Sequence, residues 1–404
     1  MLLSLLSMDV IRSLIQFCSY AVNITVNSNQ FHLMQKSTLI LLASHLCVMT
    51  LCQKVRSQMG QKDKTTFRMP PEWHPHECCW MQWPTDDFPS DVTASWSNFD
   101  IEKGRVSWAN VANHISEFEQ LKMIVHPNNT DSARKLLSPK VEIFSLPIND
   151  AWARDSGAIF LLDNKHNLGG VDSDFNCWGY KTNYELDDKV AEFMIKTSKA
   201  KYFKNNMVLE GGSIHVDGNG TLLTTEQCLL NENRNPHLSR VEIENNLKET
   251  FGVTNIIWLK HGTDEGTDGH IDNVACFSAP GRVIAMTCND KDDPYYDRLN
   301  ENLEILKTSC DASGNRLKVV ELEMSYRRII PNDDEPGSYI NFYIANNAII
   351  LPIFNDKKSD ENAKIVVQTE FPDRKLICLD GTQILLGGGG VHCITQQQPR
   401  SNNG

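Results

Sequence analysis

Four segments of the chain carry residue types suited to covalent chemistry on a planar cation. Near the C-terminus, GGGGVHCITQQQP places Cys393 directly behind four glycines, Val391 and His392. A cysteine after a glycine run is a nucleophile presented where the backbone lets a substrate come close. NDAWARDSG carries Asp150, Trp152, Arg154 and Asp155, and GTDGHIDN carries His270 and Asp272. VLEGGSIHVDGNG adds Glu210 ahead of two glycines. A thiolate, an imidazole and carboxylates are what is needed to attack a guanidinium carbon while its nitrogens are held. A carboxylate accepts two parallel N–H bonds from such a cation, and Trp152 offers it an aromatic wall.

Each segment also has a plain structural reading. Arg154 and Asp155 alone read as an ion pair, with Trp152 in the core. His270 reads equally as a satisfied buried histidine, and Glu210 as a solvated turn residue. In an extended segment, alternation sets His270 and Asp272 on one face and turns the neighbours His392 and Cys393 to opposite faces. His270 is therefore the expected base, and His392 is not. His215 reads as structural, beside a hairpin turned by Asp217-Gly218 and Asn219-Gly220. A metal at His270 with Asp268 or Asp272 lacks a third ligand at suitable spacing, so no metal is expected.

The elements that must position these residues belong to a chain of 404 residues, 41% apolar, with a net charge of −12. That size accommodates one large domain or two ordinary ones. The charge disfavours a nucleic-acid binder, which needs a basic surplus to neutralise phosphates. None of the 12 cysteines forms a C-x-x-C pair, so free thiols in a reducing compartment are expected. Residues 1–66 differ from the rest. Six bases there face two acids, a net of +4 that leaves −16 for the remainder. Their apolar stretch at 39–52 is short for a membrane span. The segment is read as an extension that is disordered, serves in targeting, or reflects a misplaced start. From 67 to 400, apolar strand runs (NIIWL, RVIAMT, AIILPIF) alternate with helical patterns, including 108–120 and a capped helix from Ser239 to Gly252. This alternation predicts one α/β domain.

The segments MPPEWHPHECCWMQWP, NDAWARDSG, LEGGSIHVDGNGTLLTTEQCLLNENRNP, GHIDNVACF, SYINFYIAN and GGGGVHCITQQQP resemble, in order, motifs of the agmatine deiminases. That family lies in the guanidine-modifying superfamily. The resemblance implies a pentein five-bladed, pseudo-symmetric ββαβ propeller with its site in the central channel. It places the nucleophile on Cys393, the general acid/base on His270 and the guanidinium-binding carboxylates on Asp155 and Asp272. Trp152 and Glu210 match pocket-lining positions, and Asn341 is a neighbour. The implied reaction is hydrolysis of agmatine to N-carbamoylputrescine and ammonia, within putrescine and polyamine biosynthesis, with no cofactor. A cytoplasmic homo-oligomer, a dimer or larger, is expected, and a depressed thiol pKa at Cys393 follows from its assigned role. An arginine or peptidyl-arginine deiminase and an inactive guanidine-binding relative are the alternatives. A papain-like protease is disfavoured, because here the cysteine follows the histidine. The sequence departs from the family pattern at a short segment before Ser338, at Ser173 in place of Trp and at Gly390 in place of Asn.

Overall fold

Hairpins of short apolar strands, each followed by a crossover helix, recur along the chain. The computed structural model describes residues 66–85, 100–330 and 334–402, so the expectations for 1–65 lie outside the described residues. The first group is β1 (His76–Gln82), α1 (Ile101–Ile115), β2 (Gln120–Val125) and β3 (Glu142–Ser145). Next come β4 (Ile159–Leu162), β5 (Leu168–Asp174), α2 (Val190–Thr197) and β6 (Lys201–Val208). The third comprises β7 (His215–Val216), β8 (Thr221–Thr225), α3 (Arg240–Phe251) and β9 (Asn255–Leu259). The fourth comprises β10 (Ala275–Ala279), β11 (Arg282–Thr287), α4 (Tyr296–Thr308) and β12 (Lys318–Glu323). The fifth is β13 (Tyr343–Ala345), β14 (Ala348–Ile353), α5 (Lys357–Glu370) and β15 (Lys375–Asp380), after which β16 (Gln396–Pro399) ends the series.

Four of the five sheets share one plan. The first strand pairs antiparallel with the second across a tight turn, and the second pairs parallel with the third across the helix. A parallel pair requires such a crossover. In the remaining sheet the last strand of the chain takes first place. β16 pairs antiparallel with β1, which runs parallel to β2, and β2 to β3. The chain thus closes on itself as a five-bladed α/β propeller.

Local signals set the blades. α3 starts where Ser239 and Glu242 form a reciprocal capping box, and it stops at Gly252, whose φ of 69° is left-handed. Ile243, Leu247 and Phe251 recur every fourth residue on its buried face, in one core with Val216, Leu222 and Trp258. Each such side chain contributes about 1.5–3 kcal/mol on burial. The expected strands NIIWL and RVIAMT appear at their sequence limits. The helix expected over 108–120 instead runs 101–115, because Asp100 caps it early and β2 begins at Gln120. The hairpin at 217–220 forms, with Gly218 and Gly220 at positive φ and Asp217 Oδ1 accepting from Asn219 N and Thr221 N. Nine cysteines among the described residues are free thiols. Among those residues no helix is long and apolar enough to cross a membrane.

The closing strand, QQQP, is polar yet buried. Gln398 Oε1 accepts from Trp80 Nε1 at 3.0 Å, Cys78 Sγ at 3.3 Å and Ser198 Oγ at 2.7 Å, and Gln396 Nε2 donates to Ala158 O at 2.7 Å. The glutamines thus fasten the first blade to its neighbour just after the segment that carries Cys393. Gln398→Leu strands the buried Trp80 indole N–H and is expected to lower stability by about 2 kcal/mol. Urea unfolding should show a lower midpoint at an unchanged slope.

Candidate active site

Each blade is entered through a turn just ahead of its first strand, and these five turns meet. Asp155 lies on Ala153–Ser156 ahead of β4, and Glu210 precedes the turn Gly211–Ser213 ahead of β7. His270 and Asp272 flank the start of Ile271–Asn273 ahead of β10; Asn341 precedes β13 and Cys393 precedes β16. Hydrogen bonds join the turns around the ring. Arg154 N donates to Cys393 O at 3.1 Å, Gly212 N to Asp155 Oδ1 at 3.1 Å, Asn341 Nδ2 to Asn273 Oδ1 at 3.0 Å and His392 N to Asn341 O at 3.1 Å. The Glu210 and His270 turns meet through charge instead, with His270 Nε2 3.9 Å from Glu210 Oε2. Glycine is required at the meeting point. A Cβ on Gly212 would fall 2.6 Å from His270 Nδ1, 2.8 Å from Asp155 Oδ1 and 3.0 Å from Asp272 Oδ2.

Cys393 is buried in this cluster. Its sulfur accepts from Asn341 Nδ2 at 3.2 Å and lies 3.5 Å from Asp272 Oδ2, toward which the thiol donates. Asn341 Oδ1 also accepts from the backbone N–H groups of His392, at 2.8 Å, and Cys393, at 3.3 Å. A Cβ on Gly390 would lie 2.2 Å from that oxygen, so the Asn341 amide fills the space above Gly390. Burial, with the charges of Asp272 and Asp155, holds the Cys393 thiol well above the ordinary range. The depressed pKa expected from the sequence is therefore overturned for the unliganded site: a low-dielectric pocket facing two carboxylates disfavours a thiolate.

His270 stands between Asp155 Oδ1, 3.8 Å from Nδ1, and Glu210 Oε2. Burial alone would depress it; the charge of Asp155, then the close approach of the Cys228 sulfur and the charge of Glu210, override this and push it up to about 10. Asp155 accepts from Gly212 N and, at 3.0 Å through Oδ2, from Trp178 Nε1. Burial, with Asp272 and Glu210 adding and His270 opposing, pushes Asp155 up to about 6. Both ring nitrogens of His270, Asp272 Oδ1 and Glu210 Oε2 have no hydrogen-bond partner among the described residues. Buried polar atoms are normally satisfied, so four of them on these converging turns mark a place for a polar ligand.

Beneath the cluster runs a second set of charges. His392 Nδ1 meets Asp272 Oδ2 at 2.9 Å and Nε2 meets Glu72 Oε1 at 2.8 Å. Arg154 Nη1 donates to Glu72 at 3.3 Å, and His215 Nε2 lies 3.6 Å from it. Burial alone would raise Glu72, but His392, Arg154 and His215 hold it well below the carboxylate range. Asp272 is likewise held down by His392 against its own burial. Burial and Arg154 oppose a proton on His392, yet Glu72 and Asp272 raise its pKa.

Above the cluster, a cavity of about 210 Å3 is lined by Trp152, Trp178, Asp264, Thr267, Ile330 and Glu335, with other residues. A Cβ on Gly389 would touch the Trp152 ring at 2.7 Å and Cys393 Cβ at 3.3 Å, so Gly389 lets Trp152 and Cys393 stand close together. Trp178 is aimed by a strained run: Cys177, Trp178 and Tyr180 have φ of 51°, 54° and 62°. Such residues cost about 1–3 kcal/mol each. Asn176 Nδ2, donating to Asn233 O at 2.9 Å, and the Asn233 side chain packed on Gly179 hold the run in place.

All seven residues expected from the sequence (Cys393, His270, Asp155, Asp272, Trp152, Glu210 and Asn341) fall in this cluster or its wall. Some of the reasons differ. His270 and Asp272 converge from a tight helical turn, not a strand, and Glu210 is fully buried rather than solvated. His392 and Cys393 also lie in a turn, so both reach the same oxygen of Asp272 instead of facing apart. Arg154 pairs with Glu72 and not Asp155. Asp150 stays outside; its Oδ1 accepts from Ala151 N at 2.7 Å. Ser173 sits on β5, where it accepts from Asn205 Nδ2 at 3.1 Å. Glu72, Trp178, Asp264 and Cys228 were not singled out. The only local signal for Trp178 is the adjacent Gly179, and Glu72 shows none beyond its acidic type in a Pro-rich, aromatic segment.

Five ββαβ blades with a cysteine, a histidine and carboxylates where their turns meet define the class: an α/β propeller of the pentein type. The chain belongs to the family of Porphyromonas-type peptidyl-arginine deiminases, whose model matches residues 68–399. An agmatine deiminase of Pseudomonas aeruginosa is 40% identical over 359 residues, covering 82% of this chain and 95% of its own. One of Medicago truncatula is 37% identical over 367 residues, covering 82% and 96%. Among solved structures, the agmatine deiminase of Enterococcus faecalis superposes with a TM-score of 0.76 at 34% identity, over 83% of this chain and 96% of that one. A Cys-to-Ser variant of the C. jejuni agmatine deiminase with substrate bound gives 0.74 at 31%, over 83% and 97%.

The charges beneath the cluster have a pH signature. Glu72 is depressed, so its contribution to stability is present above about its ordinary 4.5 and is lost as pH falls through the folded value. His392 is raised, so its contribution is present below about its ordinary 6.5 and is lost as pH rises through the folded value. Glu72→Gln leaves buried charge unpaired and is expected to cost about 3–5 kcal/mol. Urea unfolding should show a larger loss near pH ~5.5, inside that window, than near ~8.5.

Proposed function

We propose that the protein hydrolyses agmatine to N-carbamoylputrescine and ammonia through a covalent intermediate on Cys393. The observation that carries this reading is the group of unpartnered polar atoms on His270, Asp272 and Glu210, with Asp272 also reaching the Cys393 sulfur. A guanidinium fits it, being planar, cationic and rich in N–H donors. Asp155 and Asp272 grip its nitrogens and hold the carbon near the sulfur, so little further ordering is needed for attack. The incoming cation offsets the carboxylate charge that keeps the thiol protonated, so the thiol releases its proton to solvent and the thiolate forms as substrate settles.

The sulfur then adds to the guanidinium carbon. His270, a cation in the free site, gives a proton to the departing nitrogen, and ammonia leaves with the electron pair of the broken C–N bond. The amidino group remains on Cys393 as a thioether. His270, now neutral, takes a proton from water as the oxygen adds to the same carbon. The C–S bond breaks, the added hydroxyl gives its remaining proton to the released ammonia or solvent, the ureido product forms and the thiolate is regenerated. Such acid–base help contributes about 10²–10⁴-fold. Glu210, anchored by Arg234 Nε at 2.6 Å, keeps the far side of the His270 ring beside negative charge.

The cavity above supports agmatine over arginine. Asp264 and Glu335 line it, and Asp264 Oδ2 has no hydrogen-bond partner among the described residues. Acid there suits a terminal ammonium and repels an α-carboxylate. The free thiols suit a reducing compartment such as the cytoplasm.

Ammonia release from agmatine, arginine and an arginine amide, with mass detection of the ureido product, tests this reading. Agmatine alone should turn over, and Cys393→Ala should abolish it. kcat/KM should climb as pH rises through about 6, because Asp155 must lose its proton to hold the cation. Turnover of arginine or its amide instead would keep the chemistry and overturn the substrate.

A further inference from the structure

The joint between the turns at Glu210 and His270 is unlike the other four. No hydrogen bond crosses it among the described residues, and a third group faces it. Cys228, on the short helix Glu226–Leu229 at the end of β8, points its sulfur here. One oxygen of Glu210, the Cys228 sulfur and one ring nitrogen of His270 all lie within 4.8 Å of one another, and all three residues are fully buried. Glu210 Oε2 and the His270 nitrogens have no hydrogen-bond partner among the described residues, while Arg234 occupies the other Glu210 oxygen. We propose that these three side chains form a reversible inhibitory site for a thiophilic divalent cation of the zinc type, with His270 Nε2 as the nitrogen ligand.

The donor set selects the metal class. A thiolate, an imidazole and a carboxylate suit zinc or cobalt, whereas magnesium and calcium take oxygen. Three protein ligands leave a fourth, tetrahedral position for water. Bonds of about 2.0–2.3 Å place tetrahedral ligand atoms roughly 3.3–3.8 Å apart. Glu210 Oε2 and His270 Nε2 already stand 3.9 Å apart, so the sulfur has only to draw in by about 1 Å. The surrounding charge favours a cation. Asp155 lies 3.8 Å from the other ring nitrogen, and the nearby Arg234 is itself paired with Asp268 at 2.7 Å.

Binding expels the thiol proton of Cys228 and the Nε2 proton of His270 to solvent, so affinity rises with pH. A metal-bound His270 can neither give nor take the protons of catalysis. That inhibitory consequence rests on the acid–base role proposed for His270; the binding itself does not. The sequence hid this site because its second and third ligands come from Glu210 and Cys228 in the preceding blade, far from His270 along the chain.

The test titrates the full chain with cobalt(II) alone, following the charge-transfer absorption of a cobalt–thiolate bond, and then displaces it with zinc(II). Wild type and Cys393→Ala should both show the band, and Cys228→Ala should lose it. Zinc should inhibit ammonia release in the wild type and a chelator should restore it, and Glu210→Gln should bind cobalt more than ~10-fold more weakly. A band lost in Cys393→Ala and kept in Cys228→Ala would place the metal on the nucleophile and overturn the proposal, as would no band in any protein. If Cys228→Ala does not fold, Cys228→Ser serves, since a hydroxyl gives no such band. Cobalt bound through Cys228 in a protein that leaves agmatine untouched would keep the site and reject only the proposed reaction.

Discussion

Like charge buried in one place is the constraint on which the rest depends. Asp155, Asp272 and Glu210 converge around His270 and Cys393 with almost no solvent contact. Mutual repulsion and desolvation both oppose this. The fold offsets it with donors fixed by backbone or by packed side chains: Trp178 and Gly212 on Asp155, His392 on Asp272, Arg234 on Glu210. What remains unpartnered is one carboxylate oxygen each on Asp272 and Glu210 and both ring nitrogens of His270. A substrate that brings one positive charge and several N–H groups relieves the repulsion. In the proposed reaction, binding of the cation and activation of Cys393 are one event.

The propeller makes that convergence available. Each blade contributes one turn, so five short segments far apart in sequence supply one residue or two each to a common point. Closure matters most at the last blade, because Cys393 stands just before β16, and β16 docks through its glutamines onto Trp80, Cys78, Ser198 and Ala158. Cys393 is thereby fixed by the same pairing that completes the ring. The strain at Cys177 to Tyr180 is carried for a similar purpose, since it turns the Trp178 indole toward Asp155.

Much of this was legible in the sequence, for physical reasons that can be named. Helix caps such as Ser239 and Gly252 and apolar runs such as RVIAMT are local, so strands and helices could be read directly. The seven residues named from the motif resemblance come together at the meeting turns or in the wall beside them. What stayed hidden depends on contacts between blades. Glu72 becomes part of the site only because His392 and Arg154 reach it from other turns. The adjacent His392 and Cys393 point at one oxygen because a turn replaced the assumed strand. The protonated state of Cys393 could not be inferred from its role, because it follows from burial and from charges contributed by two other blades.

The account is tested most directly by the ionisation of Cys393 itself. Thiolate absorbance, taken as the difference between wild type and Cys393→Ala, can be followed across pH without ligand and with a non-hydrolysable amidine that mimics the substrate cation. No Cys393 thiolate is expected near neutral pH in the free protein, and one is expected to appear when the cation binds. A thiolate already present in the free protein at neutral pH, unchanged by the cation, would contradict it.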